Sequence, residues 1–132
     1  MKQGTVYLYK DFRFHDGETA NKYFIILNNP LKDEPFLTCK TTSRQKWRPD
    51  QEGCHDNLNL FVLRENYDFF SEKTWVQLHI YYPISQDKLL RLKEKGVITK
   101  RAELKDQTIR AIINCISKSE DICGLYLTMI KR

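Results

Sequence analysis

Apolar and aromatic residues come in short runs at the start of the chain. Gly4-Thr5-Val6-Tyr7-Leu8-Tyr9 leads into Phe12-Arg13-Phe14-His15-Asp16-Gly17, and after a polar stretch comes Lys22-Tyr23-Phe24-Ile25-Ile26-Leu27. Residues of this kind suit a pleated, half-buried surface, and Asp16-Gly17 is a turn dipeptide, so the pattern predicts two strands and a turn. The turn carries His15, Asp16, Glu18, Asn21 and Lys22 to the rim of a small sheet, where loops hold binding chemistry. Asp16 and Glu18 read first as turn formers.

Asn28-Asn29-Pro30 breaks the second strand, and Phe36 to Thr42 reads as the next. From Ser43 to His55 no apolar period survives, which predicts a long surface loop. Leu58 to Leu63 forms a further strand. Trp75 to Tyr81 alternates, which places Val76, Leu78 and Ile80 on one face and Trp75, Gln77, His79 and Tyr81 on the other; Pro83 ends that strand. Ser85 caps a helix from about Gln86 to Lys95, with Gly96 as its stop. Ile109, Ile112, Ile113 and Ile116 recur at helical spacing in a second helix from about Leu104 to Lys118. The basic run from Lys88 to Arg101 reads as the wet face of a helix. Between Asp121 and Arg132 the pattern divides: Gly124 and the β-branched residues favour a strand, while Ile122, Leu125, Tyr126 and Met129 fit a helix. Several strands followed by helices, with no linker or repeat, predict one α+β domain over residues 1–132.

The composition fits a globular chain, with 41% hydrophobic residues, and 22 Lys plus Arg against 17 Asp plus Glu leave a net charge of +5 that favours an anionic partner. No apolar run reaches the length of a membrane span and no leader precedes the first strand, so the expectation is a cytoplasmic protein with no membrane partner. Cys39, Cys54, Cys115 and Cys123 are widely spaced and read as reduced thiols packed as small hydrophobes. Cys39, Cys54 and His55 are three conceivable metal ligands, but without a C-x-x-C pair or a second His they do not make a metal signature. No cofactor is called for.

The order of these features resembles the MazF/PemK family of toxin endoribonucleases. The resemblance lies in a Gly-led first strand ending in Phe12-x-Phe14-x-Asp16-Gly17, a basic residue, Lys22, opening the second, and Thr41-Thr42-Ser43 closing the third. It continues in Ile84-Ser85-Gln86-Asp87-Lys88-Leu89 after the strand that begins near Thr74. It implies a small SH3-like β-barrel with a short helix and a C-terminal helix. It also implies a toxin that cleaves single-stranded RNA without metal, an antitoxin protein as partner, and a homodimer for which Tyr7, Tyr9 and Tyr81 are candidate interface aromatics. By position Lys22 stands where the family places a phosphate-binding arginine, and Thr41, Thr42 and Ser43 match its hydroxyl segment. A lysine offers one compact charge where a guanidinium binds phosphate in two prongs.

Metal-free RNA cleavage needs a base for the ribose 2′-hydroxyl, a donor for the charge developing on phosphorus, and an acid for the departing 5′-oxygen. Lys22, Thr42, Ser43 and His79 are the candidates, the histidine because its ordinary pKa of about 6.5 lets it serve as base or acid. Lys40, Arg44, Lys46 and Arg48 lie within nine residues that contain no acid, with Trp47 among them. Cations neutralise phosphates while an aromatic ring stacks on a base, which is what single-stranded RNA binding needs. Two other readings stand beside the enzyme: a catalytically silent RNA- or protein-binding module on the same barrel, and a scaffold that contacts protein only.

Overall fold

The computed structural model describes residues 1–132. It is a mixed α+β fold with three helices and eight strands, all paired antiparallel. The first hairpin joins β1 (Thr5–Arg13) to β2 (Thr19–Ile26). Its register shifts between Tyr9 and Phe12, where Asp11 takes a φ of 54°, and its turn closes through Gly17 at a φ of 90°. Only small or locally hydrogen-bonding residues adopt such angles at low cost, which is why Asp and Gly stand there. The Asp16 carboxylate accepts the Glu18 N–H at 3.0 Å, the turn-forming role expected of it.

The third strand, β3 (Phe36–Thr42), is central. One flank pairs with β2; the other is shared by two strands, β6 (Thr74–Gln77) beside Thr41 and Thr42, and β7 (Tyr82–Ile84) beside Phe36 to Thr38. This sharing corrects the single strand expected over Trp75–Tyr81. The chain leaves the sheet after Gln77 and rejoins it at Tyr82, so Pro83 lies inside β7, opposite Leu37, and Ile80 is exposed. The hydrogen-bonded path runs β4-β5-β6-β3-β2-β1-β8, with β4 (Gly53–His55) and β5 (Leu60–Leu63) at one end. The other end is β8 (Ile98–Glu103), antiparallel to β1. No ladder joins β4 to β8, so the sheet is open. The second half of the basic run from Lys88 to Arg101 is therefore an edge strand and not a helix face. Its exposed Lys100, Arg101 and Glu103 suit an edge, because charge there opposes pairing with another chain.

Helix α1 (Gln86–Glu94) begins where Ser85 Oγ accepts the Lys88 N–H at 3.1 Å and stops before Gly96 at a φ of 75°. Helix α2 (Asp106–Lys118) starts two residues later than expected and buries Ile109, Ile112, Cys115 and Ile116. The C-terminal segment resolves as a helix, α3 (Gly124–Lys131), which buries Met129 and Ile130. Alternation along β2 and β3 then feeds two apolar clusters. Ile25, Leu37, Cys39 and Val76 pack with α2 and α3, while Phe24, Ile26, Phe36 and Ile84 pack with Leu89 of α1. Truncating a fully buried isoleucine such as Ile112 to alanine costs about 2–5 kcal/mol.

Two expectations about single side chains are overturned here. Cys54 and Cys115 are not free thiols but a disulfide that ties β4 to α2 across 61 residues, leaving Cys39 buried and Cys123 exposed as thiols. Tyr7 is 1% exposed and stacks on Phe24 at 5.4 Å, so it is not available to an interface between copies. Tyr9 and Tyr81 keep part of their surface. No helix is long and apolar enough to cross a membrane.

Candidate nucleic-acid interface

Strand alternation builds the floor of the site. Lys22 is two residues from Phe24 on β2, and Lys40 and Thr42 continue the face of Phe36 on β3, so these three polar side chains extend the apolar face that α1 covers. The register pairs Phe24 with Lys40 on one side of β3 and Thr42 with Trp75 on the other. One pleat along each ladder brings Lys22 opposite Thr42 and Gln77 opposite Lys40.

The segment after β3 folds back over this floor. Arg48 N–H donates to the Gln45 carbonyl at 2.7 Å around Lys46, whose φ is 47°, and Arg48 Nη1 donates to the Arg44 carbonyl at 2.9 Å. Trp75 Nε1 donates to the Pro49 carbonyl at 2.7 Å and Lys73 pairs with Asp50. These bonds pin the loop to β6. Its polar character makes residues 43–52 legible as a loop, and its own hydrogen bonds make it an ordered one; the last three residues of the expected loop, Gly53–His55, are instead β4, paired with β5.

Two adjoining cavities result. The first, ≈ 220 Å³, is lined by Lys22, Thr41, Thr42, Ser43 and Glu72 with Asn21 and the Phe69–Ser71 turn. The second, ≈ 210 Å³, is lined by five cations, Lys22, Lys40, Arg44, Lys46 and Arg48, together with Phe14, Thr42 and Gln77, and no acid. None of the five cations is in an ion pair. Aromatic faces take part of that role. Lys40 Nζ stands 4.9 Å from the Phe14 ring and Arg48 lies 5.3 Å from Trp47, whose side chain is 69% exposed. Trp47 is thus a free ring beside cations and not a core residue.

The charges strain against one another. Burial, and then the fields of Lys40, Arg44, Arg48 and Lys46, hold the Lys22 ammonium below its ordinary pKa. Burial and then Arg48 lower Lys40 in the same direction. An anion placed among these groups relieves both effects, desolvation by pairing and repulsion by neutralisation. Thr42 Oγ1 accepts the Arg44 N–H at 3.2 Å, which leaves its own proton free to donate into either cavity. Thr41 is committed elsewhere, donating to the Tyr23 carbonyl at 3.1 Å.

The structure therefore brings Lys22, Thr42 and Ser43 together in one cavity and Lys40, Arg44, Lys46 and Arg48 in the next, with Trp47 at the rim. His79 lines neither. It lies in the field of Lys40 and Arg48, and burial followed by those two charges lowers its pKa. Three residues escaped the sequence reading. Phe14 and Gln77 enter the second cavity from the hairpin and β6, and Glu72, in the turn before β6, is the one carboxylate lining the first. Alternation beside His79 was the only signal for Gln77, and nothing local marked Glu72. No three side chains of His, Cys, Asp or Glu stand together as a metal site, since Cys54 is spent in the disulfide and Cys39 is in the core. Neither a family model, nor a curated protein, nor a solved structure matches the chain.

Proposed function

We propose that the protein binds single-stranded RNA along the cation-lined cavity and cleaves it without metal in the adjoining one, as a toxin endoribonuclease of a toxin-antitoxin pair does. The observation that carries this reading is the acid-free ring of five unpaired cations abutting a cavity lined by hydroxyl side chains, Thr42 and Ser43 among them, and one carboxylate. Trp47 supplies a stacking surface for an unpaired base. On this reading the open sheet is the frame of a small SH3-like barrel. The protein pairs with an antitoxin and forms a homodimer through the half-buried Tyr9 and Tyr81.

The chemistry is in-line transfer. Glu72 takes the 2′-hydroxyl proton, the 2′-oxygen bonds to phosphorus, and the 5′-oxygen departs with a proton from solvent, leaving a 2′,3′-cyclic phosphate. Lys22 and the Thr42 hydroxyl face the charge that develops on the phosphoryl oxygens. His79 carries no step. Labelled RNA incubated with the protein in EDTA should yield cyclic-phosphate ends, and Glu72→Gln should slow the reaction about 100-fold, the usual scale of general-base catalysis. Intact RNA after long incubation with well-folded protein rules the cleavage out. His79 standing outside both cavities and lysine at the arginine position favour the second reading, a silent module that binds RNA without cutting it.

A further inference from the structure

Three elements converge on the second cavity, and each brings positive charge. Lys22 comes from β2, Lys40 from β3, and Arg44, Lys46 and Arg48 from the folded-back loop, so five cations line ≈ 210 Å³ without an acid. The loop does carry carboxylates, but both are used outside the cavity, Asp50 on Lys73 and Glu52 on Arg64. Its turn is fixed by its own hydrogen bonds, since Arg48 donates through its backbone N–H to the Gln45 carbonyl and through Nη1 to the Arg44 carbonyl. The fold therefore concentrates like charges here and directs the nearest compensating ones elsewhere.

RNA answers only part of that charge. A single strand carries one negative charge per phosphodiester, so a strand with one nucleotide in each cavity sets one or two charges against five cations. A condensed phosphate chain is denser. Its phosphates are joined directly, with no sugar between them, and its terminal phosphate carries nearly a second charge, so a triphosphate brings about four negative charges into one small space. We propose that the second cavity is a binding site for a condensed phosphate chain, inorganic or the triphosphate tail of a nucleotide, and that its occupation excludes RNA. The binding stands on the cations alone, whereas the exclusion rests on the RNA-binding reading above and supplies its regulation. Lys22 and Thr42 line both cavities, so a chain held here also takes up the ammonium and the hydroxyl that face the scissile phosphate.

The test is calorimetric titration of the protein with orthophosphate, pyrophosphate, tripolyphosphate and ATP, in EDTA at one ionic strength, followed by displacement of a fluorescent RNA strand of about eight nucleotides. Affinity should rise about tenfold with each added phosphate, and tripolyphosphate should release the RNA over the concentrations at which it binds. ATP within about threefold of tripolyphosphate assigns the nucleotide tail as the ligand, and a much weaker ATP assigns the free inorganic chain. Lys40→Gln should weaken tripolyphosphate about tenfold; Lys46→Gln, exposed on the loop, should do the same and carries the test if the first variant does not fold. Arg91→Gln, exposed on α1 and outside both cavities, should bind as wild type does. Equal affinity for orthophosphate and tripolyphosphate, or an equal loss in Arg91→Gln, is general attraction to a basic protein and overturns the proposal. Tripolyphosphate that binds without releasing RNA overturns it as well. RNA that binds where tripolyphosphate does not sinks this inference alone. Tripolyphosphate binding by a protein that takes up no RNA keeps the phosphate site and removes the RNA-binding reading, together with the exclusion.

Discussion

Lys22 and Thr42 lie on neighbouring strands and each lines both cavities of the site. They form the wall that the two spaces share. A phosphodiester lying across that wall has one nucleotide in each cavity, with its phosphorus beside an ammonium and a hydroxyl. Lys22 reaches this position because two-residue alternation on β2 keeps it on the face of Phe24, and Thr42 because it is the last residue of β3 before the chain turns away.

The salt dependence of RNA binding reads the loop directly. Arg44→Ala, Lys46→Ala and Arg48→Ala should each lower the slope of log affinity against log salt by about 0.7, since each lost phosphate contact releases that many fewer counterions from a single strand. Anisotropy titrations over a range of salt concentrations measure it. An unchanged slope in the triple variant removes the loop from the interface.

The disulfide closes a loop of 61 residues between β4 and α2. Restricting the unfolded chain by a loop of that length stabilises the fold by about 4 kcal/mol. Urea unfolding with and without reductant should show this difference, and Cys54→Ser with Cys115→Ser should reproduce the reduced protein and no longer respond to reductant. Equal midpoints in all three samples contradict the assignment of the bond as a stabilising staple.

The first two helices and the two strands flanking the first turn were legible because their signals are local: Ser85 and Gly96 bracket α1, and isoleucines at helical spacing mark α2, whereas the mixed signals before α3 left it undecided. β8 was hidden because an edge strand with one covered residue, Ile98, has the same polar composition as the wet side of a helix. The interruption after Gln77 was hidden for another reason. It arises from β3 dividing its flank between β6 and β7, a tertiary event with no periodic trace. The same applies to the site. Lys22, Thr42, Ser43 and the loop cations could be found from strand order and composition, but Trp75 and Gln77 could be placed only on the face opposite Val76 and Leu78, because nothing local told that Pro49 and its loop would lie against Trp75. Glu72 and the Cys54–Cys115 pairing depend wholly on which segments meet in space.

His79 should report RNA binding through pH, with opposite signs for stability and affinity. Its folded pKa lies below the ordinary 6.5, so the unfolded chain takes up the proton first. Its contribution to stability is complete above 6.5 and is lost as pH falls through the lowered value. Bound phosphates oppose the fields of Lys40 and Arg48 and raise that pKa, so binding takes up a proton and affinity rises over the same fall in pH. Titrating affinity and thermal stability from about pH 7.5 to about pH 5.5 in wild type and His79→Asn separates this from other groups. The asparagine variant should lose both trends. A wild-type affinity that is flat in pH places His79 outside the reach of the bound strand.

Lys22 decides between the enzyme and the silent module. Its ammonium is the charge common to both cavities, half-buried and held below its ordinary pKa by burial and four neighbouring cations. A group kept so close to other positive charges gains most where negative charge increases, which during cleavage is the phosphoryl group at the transition state. Lys22→Ala should therefore lose about 100-fold or more in single-turnover cleavage while RNA affinity drops only a fewfold, because four cations remain to hold the strand. Lys22→Arg should match or exceed wild type, since the planar guanidinium donates to two phosphoryl oxygens at once. In a silent module neither substitution has cleavage to change, and affinity moves by about 1 kcal/mol or less in both. Parallel single-turnover and binding measurements on the three proteins separate the outcomes. Cleavage that persists undiminished in Lys22→Ala takes the shared wall out of the chemistry, and leaves the cation-lined cavity as a place where RNA is held and not cut.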